Sequence, residues 1–152
     1  MALSEHLENV SKTIICIHRE AFDESPSPMK LQKLCYYAQG YSLAEGEELF
    51  PENFQAWQHG PVIPELYHQY KHFQWRQIND DFDLPEYDSI SFLQDIVSAY
   101  GRYDGAALST MTHREQPWID ARGDLGELEG CTEIISKDSL RSYFSSKLKM
   151  YA

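Results

Sequence analysis

The feature that most constrains this chain is the stretch from residue 29 to residue 70, in which several local signals follow one another closely. Apolar or small side chains recur every three or four residues between Leu31 and Ser42, which predicts an amphipathic helix that ends before Gly46. Gly40 lies inside this helix, where a glycine costs about 1 kcal/mol relative to alanine. Such a glycine indicates that another helix approaches closely.

A short strand and a corner follow this helix. Phe54–Trp57 is aromatic and alternating, as is typical of a strand. Gly60 and Pro61 then force a turn, because Gly60 permits a backbone shape that a side chain would strain and Pro61 fixes its own φ. Pro64 suits the first turn of a following helix. The stretch therefore predicts a helix, a strand and a helix in that order.

Caps and apolar periodicity predict further elements along the rest of the chain. They are a helix capped by Ser4 in the first part of the chain, a helix capped by Asp88 or Ser89 that contains Ile90 to Tyr100, a short helix capped by Asp104, a helical turn opened by Pro117, a strand within Thr132–Ile135, and a helix from Asp138 to about Lys149. At 152 residues the chain has the usual length of one domain. We predict a mainly α (α+β) fold, a single domain over residues 1–152 with about six helices and a minor antiparallel β ribbon.

Two blocks of residues resemble a known family. The first block reads KLQKLCYYAQG and then FQAWQHGPVIPELY, and the second reads LSTMTH followed by PW and then AR at residues 121–122. Together with the ending from Ile134 to Phe144, these blocks resemble the Panacea domain, also met as the SocA-like or phage-associated GepA-like family. The resemblance spans most of residues 29–144 and implies a small helical domain.

The resemblance implies an antitoxin of a toxin–antitoxin pair, as found in bacterial genomes and prophages. Such a protein neutralises a toxin encoded next to it through direct protein contact. One alternative is a proteolytic adaptor that delivers the toxin to an ATP-dependent protease. An alternative of another class is a phage-associated enzyme using His59 or His113, since a histidine beside a carboxylate can act as a general base. We expect no catalysis and no cofactor, because no nucleophile motif or phosphate-binding glycine loop accompanies these histidines.

The charge of the chain limits its partners. Thirteen Lys and Arg residues against 24 Asp and Glu residues give a formal net charge of −11. This charge repels nucleic-acid phosphates and attracts basic partners. No run approaches the roughly 20 apolar residues that cross a membrane, and the N-terminus has no signal-peptide pattern. We therefore expect a cytoplasmic protein whose partner is a protein toxin and, for an adaptor, also a protease.

Candidate contact residues come from the aromatic and acidic parts of the chain, because tyrosine and tryptophan are frequent interface anchors and charge guides encounter. The residues predicted to contact the toxin are Tyr37, Trp57, His59, Asp80, Asp81, Asp83 and Trp118. Other residues of the two blocks are predicted to hold the backbone in shape. These structural residues are Gly40, Gly60, Pro61, Pro64, His113 and Pro117.

Two further groups of residues have the composition of a site but predict none. Glu65, His68 and His72 have the spacing of metal ligands on a helix, but a second set of ligands is missing, so no metal is expected. Cys35 with His59 and Asn53 has the composition of a thiol-hydrolase triad, but Cys35 falls on the stripe predicted to be buried, where a thiol is inert. The three cysteines contain no C-x-x-C pair, and we expect buried reduced thiols.

Overall fold

The computed structural model describes residues 2–126 and 128–151, with side chains through residue 149. Within these residues the chain forms seven α-helices, a short 3-10 helix and three strands, an α+β arrangement. The helices are α1 (Glu5–Phe22), α2 (Pro28–Ala44), α3 (Pro64–Tyr70), α4 (Ile90–Tyr100), α5 (Gly105–Thr112), α6 (Gln116–Arg122) and α7 (Lys137–Tyr151), and the 3-10 helix is Lys71–Phe73. The strands are β1 (Phe54–Trp57), β2 (Gly60–Val62) and β3 (Ile134–Ile135).

Helix α2 is the centre of the molecule. It contacts α1, α3, α4, α5, α7 and β2, and each residue from 31 to 40 is buried. The prediction of an amphipathic helix was therefore wrong for this element, because a helix covered on all sides has no solvent face. The polar residues Gln32, Lys33 and Gln39 are buried as well, so each of them needs a partner inside the fold.

Gly40 lies where α2 and α7 touch. A Cβ atom at Gly40 would lie 2.2 Å from Cε2 of Phe144, so α7 is the close neighbour that this glycine predicts. The Phe144 ring meets the rings of Tyr36 and Tyr41 edge to face, with centroids 5.5 and 4.7 Å away. The absence of a side chain at Gly40 thus lets an aromatic cluster form between the two helices.

The three strands form one antiparallel sheet in the order β2-β1-β3. Ala56 pairs with Pro61 and Phe54 pairs with Ile135, as expected for a ribbon between these segments. The turn lies two residues earlier than predicted: residues 58 and 59 form it, whereas Gly60 and Pro61 are already in β2. Gly60 has a φ of +116°, a conformation that side-chain-bearing residues rarely adopt.

Most helix starts follow the local signals. Ser4 and Asp104 accept hydrogen bonds from the backbone of Leu7 and Ala107, at 3.1 and 2.8 Å. Ser89 occupies the N-cap position of α4 without a side-chain cap bond. Helix α7 differs from prediction, since the Ser136 hydroxyl accepts from Ser139 N at 3.0 Å and the helix includes residue 138.

The acidic segment, residues 79–88, lies against α1 without regular secondary structure over residues 79–87. Arg19 of α1 donates hydrogen bonds to the carbonyl oxygens of Ile78 and Asp80. The Phe82 ring lies under Arg19 and Lys12, with the cationic groups 5.2 and 5.4 Å from its centroid. No helix among the described residues is long and apolar enough to cross a membrane.

A groove beside the central helix as the candidate binding site

The corner between β1 and α3 is fixed by the side chain of Gln32. Its amide nitrogen donates to the carbonyl of Ile63 at 3.0 Å, and its amide oxygen accepts from Ile63 N at 2.8 Å. Ile63 is the N-cap of α3, and Pro64 occupies the first turn of that helix. Gln39 holds the loop before β1 in the same way, through Phe50 O and Leu49 N, both at 2.8 Å. Gln32 and Gln39 of the first sequence block therefore position the chain that follows.

The second sequence block supports this corner from the other side. Trp118 Nε1 donates to the carbonyl of Trp57 at 2.8 Å, and Arg122 Nη1 donates to the carbonyl of Ala56 at 2.8 Å. The Ser109 hydroxyl donates to the carbonyl of His59. Hydrogen bonds from α5 and α6 thus satisfy the backbone of β1 and of the turn after it.

His113 and Pro117 belong to this supporting layer. The His113 ring stacks on Trp118, with centroids 4.2 Å apart and planes inclined by 25°. Pro117 is buried in the first turn of α6. Gly60 is closely approached by the same layer, since a Cβ there would lie 2.7 Å from both Thr112 Oγ1 and Lys33 Cε.

A groove with a volume of about 550 Å³ opens between the start of α2, the β1–β2 corner, α3 and the loop before β3. Its walls are mostly apolar, and Met29 and Tyr67 on them are 37% and 40% exposed. The Trp57 ring meets the Tyr67 ring edge to face at 5.1 Å. Half-buried Cys131 closes the groove on the side of the loop. The volume falls within the range of about 300–1,000 Å³ that is typical of ligand sites.

Lys33 lies at the bottom of this groove. It is buried, and its Nζ donates to the carbonyl of Pro61 at 3.1 Å. Burial lowers the pKa of Lys33 from 10.5 to about 7. No carboxylate of the described residues lines the groove. The Lys33 amine would be a strongly hydrated cation in water. Here it lies in apolar surroundings, where a backbone carbonyl accepts its hydrogen bond.

The groove contains two of the predicted contact residues and excludes the others. Trp57 and His59 line it, with His59 exposed. Asp80, Asp81 and Asp83 are exposed but belong to the acidic segment on α1, which does not line the groove.

Tyr37 and Trp118 correct the sequence prediction. Tyr37 is 0% exposed and Trp118 is 3% exposed, so neither ring is available at the surface. Tyr37 stacks on Tyr100 at a centroid distance of 3.9 Å, and Trp118 holds the backbone of Trp57. The periodicity of the sequence does not distinguish aromatic side chains of the core from those at the surface.

Tyr37 is part of a buried polar cluster around Glu115. Its hydroxyl donates to Glu115 Oε2 at 2.8 Å, and Lys147 Nζ lies 3.8 Å from the same oxygen. Burial raises the pKa of Glu115, and the Tyr37 hydrogen bond and the Lys147 charge partly offset this shift. We refer to Tyr37, Glu115 and Lys147 as the carboxylate cluster. It joins α2, the start of α6 and α7.

The arrangement of the residues does not support the metal site on α3 or a reactive thiol at Cys35. Helix α3 ends at Tyr70, so His72 lies in the 3-10 helix and does not continue the face of His68. The part of the chain that the structure describes contains no group of three or more His, Cys, Asp or Glu side chains able to hold a metal. Cys35 is fully buried, and burial raises the pKa of its thiol. Cys16 and Cys131 are half-buried, which corrects the expectation of three buried thiols.

The sequence prediction missed Lys33 and Glu115 as site residues. Lys33 belongs to the first quoted block and Glu115 lies between the quoted parts of the second, but the helical stripe places Lys33 on the polar face and the pattern around Glu115 indicates only a helix start. A usable signal is the clustering of polar residues within the KLQKL block, because polar side chains of a fully covered helix need hydrogen-bond partners inside the fold.

The fold is a small α+β domain in which residues of the first sequence block line the groove and the second block supports the β1–β2 corner. Residues 31–119 match the family model described as antitoxin SocA-like, Panacea domain. The match covers more than half of the chain, and the chain belongs to this family. Family membership supports an antitoxin role in general and favours a non-enzymatic one. No curated protein and no solved structure matches the chain.

Proposed function

We propose that this protein is an antitoxin that neutralises a protein toxin by direct binding, and that the groove is the centre of its toxin-binding surface. The observation that carries the proposal is the groove itself, an open and mostly apolar site that residues of the first family block line and that the second block supports through hydrogen bonds to the β1–β2 corner. A surface that one block lines and the other supports is a natural place for the family's shared function.

The walls of the groove have the composition of an interface centre. Aromatic side chains in well-packed pockets carry much of the free energy of binding in protein complexes. Tyr67 and Trp57 are aromatic and partly exposed, and Met29 adds a flexible apolar surface. Unbranched methionine adapts its shape to an incoming side chain. The walls of the groove therefore suit the apolar part of a partner side chain.

The acidic segment has a separate part in the proposal. Its carboxylates are exposed, and the chain carries a net charge of −11. Long-range attraction raises the rate of encounter with a basic partner surface more than it raises final affinity. The segment thus guides the toxin toward the antitoxin, and the groove retains it. We expect this encounter in the cytoplasm, with a toxin encoded next to the antitoxin.

A growth-rescue experiment tests the proposal. The protein is co-expressed with the product of the adjacent reading frame, and growth and co-purification are measured. Cys131→Trp fills the groove from its loop side and should abolish both, whereas Cys131→Ser keeps the groove open and should preserve both. Thr132→Trp is a second groove-filling variant, and circular dichroism checks that each variant folds.

The host strain separates occlusion from delivery. Rescue that persists in a host without its main ATP-dependent proteases supports neutralisation by binding alone. Rescue that disappears there, together with a longer toxin lifetime, would indicate a proteolytic adaptor. Folded Cys131→Trp and Thr132→Trp variants that rescue as well as the wild type would place the toxin contact outside the groove.

A further inference from the structure

We propose that the groove receives an acidic side chain of the toxin, whose carboxylate binds the Lys33 amine at the bottom of the groove. This inference rests on the proposed function and adds the chemistry of the residue that is recognised.

Lys33 is incompletely satisfied within the described part of the chain. Its ammonium form has three N–H donors, and the Pro61 carbonyl is the acceptor that the fold supplies. A buried charge with so few partners is unfavourable, because the environment does not replace the water that the ammonium loses. A carboxylate entering the groove would supply both acceptors and the opposite charge.

The charges around the groove favour an anionic guest. The cationic side chain of Lys71 also lines it, while the carboxylates of the described chain lie elsewhere. This arrangement is the reverse of the whole chain, in which acidic residues outnumber basic ones by 24 to 13. A basic side chain would be repelled at the bottom of the groove, and an acidic one would be attracted. Because the walls are apolar, the attraction is weakened little by water.

Gly60 sets the position of the amine. With no side chain at residue 60, the Lys33 stem passes along the β1–β2 corner, where a Cβ would lie 2.7 Å from Cε and 3.1 Å from Nζ. The positive φ favours glycine at position 60, and glycine is also the residue that leaves space for Lys33. The buried lysine thus lies directly below the open groove.

Binding of a carboxylate should be linked to a proton. Burial lowers the pKa of Lys33 to about 7, and a neighbouring carboxylate favours the charged amine. Binding above pH 7 should then take up a proton. The other titratable side chains that line the groove are His59, Tyr67, Lys71 and Cys131, so their contributions must be separated from that of Lys33.

The test uses a small probe and the intact protein. Binding of 3-phenylpropionate is compared with that of 3-phenylpropanamide, which has the same shape without the charge, by isothermal titration calorimetry. The affinity for the carboxylate should exceed the affinity for the amide by about tenfold or more. The preference should vanish in Lys33→Met and persist in His59→Gln. Titrations at pH 8 in two buffers of different ionisation enthalpy should show proton uptake that Lys33→Met lacks.

Three results would overturn the inference. They are equal affinity for acid and amide, an acid preference that survives Lys33→Met in a folded variant, and no binding of the carboxylate at millimolar concentration. These results are independent of growth rescue, which tests the proposed function through Cys131 and Thr132. Rescue blocked by Cys131→Trp without any carboxylate preference would leave the toxin contact in place and remove only the role of Lys33.

Discussion

Lys33 and Glu115 are both buried ionisable residues within the family blocks, but their surroundings differ. Glu115 Oε2 accepts a hydrogen bond from Tyr37 and lies 3.8 Å from Lys147, so the chain itself supplies partners for this oxygen. Lys33 has a hydrogen bond to one backbone carbonyl and faces an open groove. The carboxylate cluster is therefore part of the core, whereas the lysine, although buried, borders the groove.

The two residues also make stability depend on pH in opposite directions. The raised pKa of Glu115 means that its contribution to stability is complete below its unfolded pKa and is lost as pH rises through its folded pKa. The lowered pKa of Lys33 means that its contribution is complete above pH 10.5 and is lost as pH falls toward 7. Burial thus favours the neutral form at both sites.

The largest effect on stability is expected in the core, where α2 packs against α7. Gly40→Val should prevent folding or strongly lower soluble yield, because even the first atom of the new side chain would lie 2.2 Å from the Phe144 ring. Gly130→Val is the matched control, since a Cβ at Gly130 meets no atom within 4 Å. Soluble expression and thermal melting report the result. A Gly40→Val protein that melts like the wild type would show that α2 and α7 can separate.

Removing a partner from Glu115 should give the next largest effect. Tyr37→Phe leaves a buried carboxylate without its hydrogen bond and should lower the free energy of unfolding by about 1–3 kcal/mol. Tyr67→Phe is the control, because the Tyr67 ring is 40% exposed at the groove. Urea denaturation measures both variants. Since Tyr37 is buried, its folded variant should bind the toxin normally, and weakened binding would contradict its assignment to the core.

Lys33→Met should change the pH dependence of stability. Between pH 7.5 and 9.5 the unfolded wild type binds more protons at Lys33 than the folded protein, so its stability should rise with pH, by about 2 kcal/mol. The variant should lack this rise and should be at least as stable at pH 7.5. Urea denaturation at the two pH values provides the comparison. An identical rise in the variant would mean that Lys33 remains hydrated in the folded protein.

The smallest effect on the folded protein is expected in the acidic segment. Replacing Asp80, Asp81 and Asp83 together by Lys should change stability by no more than about 0.5 kcal/mol, as is usual for surface positions. Association with the toxin should become slower, and the difference should shrink at about 1 M salt, where the screening length is about 3 Å. Stopped-flow measurement of the association rate at low and high salt tests this. An unchanged rate would make the segment a solvated loop.

Local signals in the sequence predicted most of the elements but not the state of α2. Ser4, Asp104 and Pro64 mark helix starts through bonds or φ restrictions within a few residues, which a linear pattern records. The burial of Lys33 depends instead on the β1–β2 corner and α5 closing over α2. Such long-range packing leaves no periodic trace in the sequence.

The candidate site was predictable only in part, because local sequence patterns do not record long-range packing. Trp57 and His59 lie in a motif and in the groove, so proximity in sequence identified them. The carboxylate cluster joins residues 78 positions apart, Tyr37 and Glu115, and no local rule connects them. The acidic composition of residues 79–88 indicated exposure, but their location against α1 follows from the bonds of Arg19.

The toxin footprint on the two half-buried cysteines tests the central claim most directly. Cys131 lines the groove, whereas Cys16 lies on α1, where burial raises the pKa of its thiol. The rate of alkylation by iodoacetamide is measured with and without saturating toxin, for Cys131 in a Cys16→Ser variant and for Cys16 in a Cys131→Ser variant. We predict that bound toxin slows alkylation of Cys131 by tenfold or more, on the order of a 1.4 kcal/mol change, and slows that of Cys16 much less. An unchanged rate at Cys131 in the saturated complex would contradict the groove as the toxin-binding site.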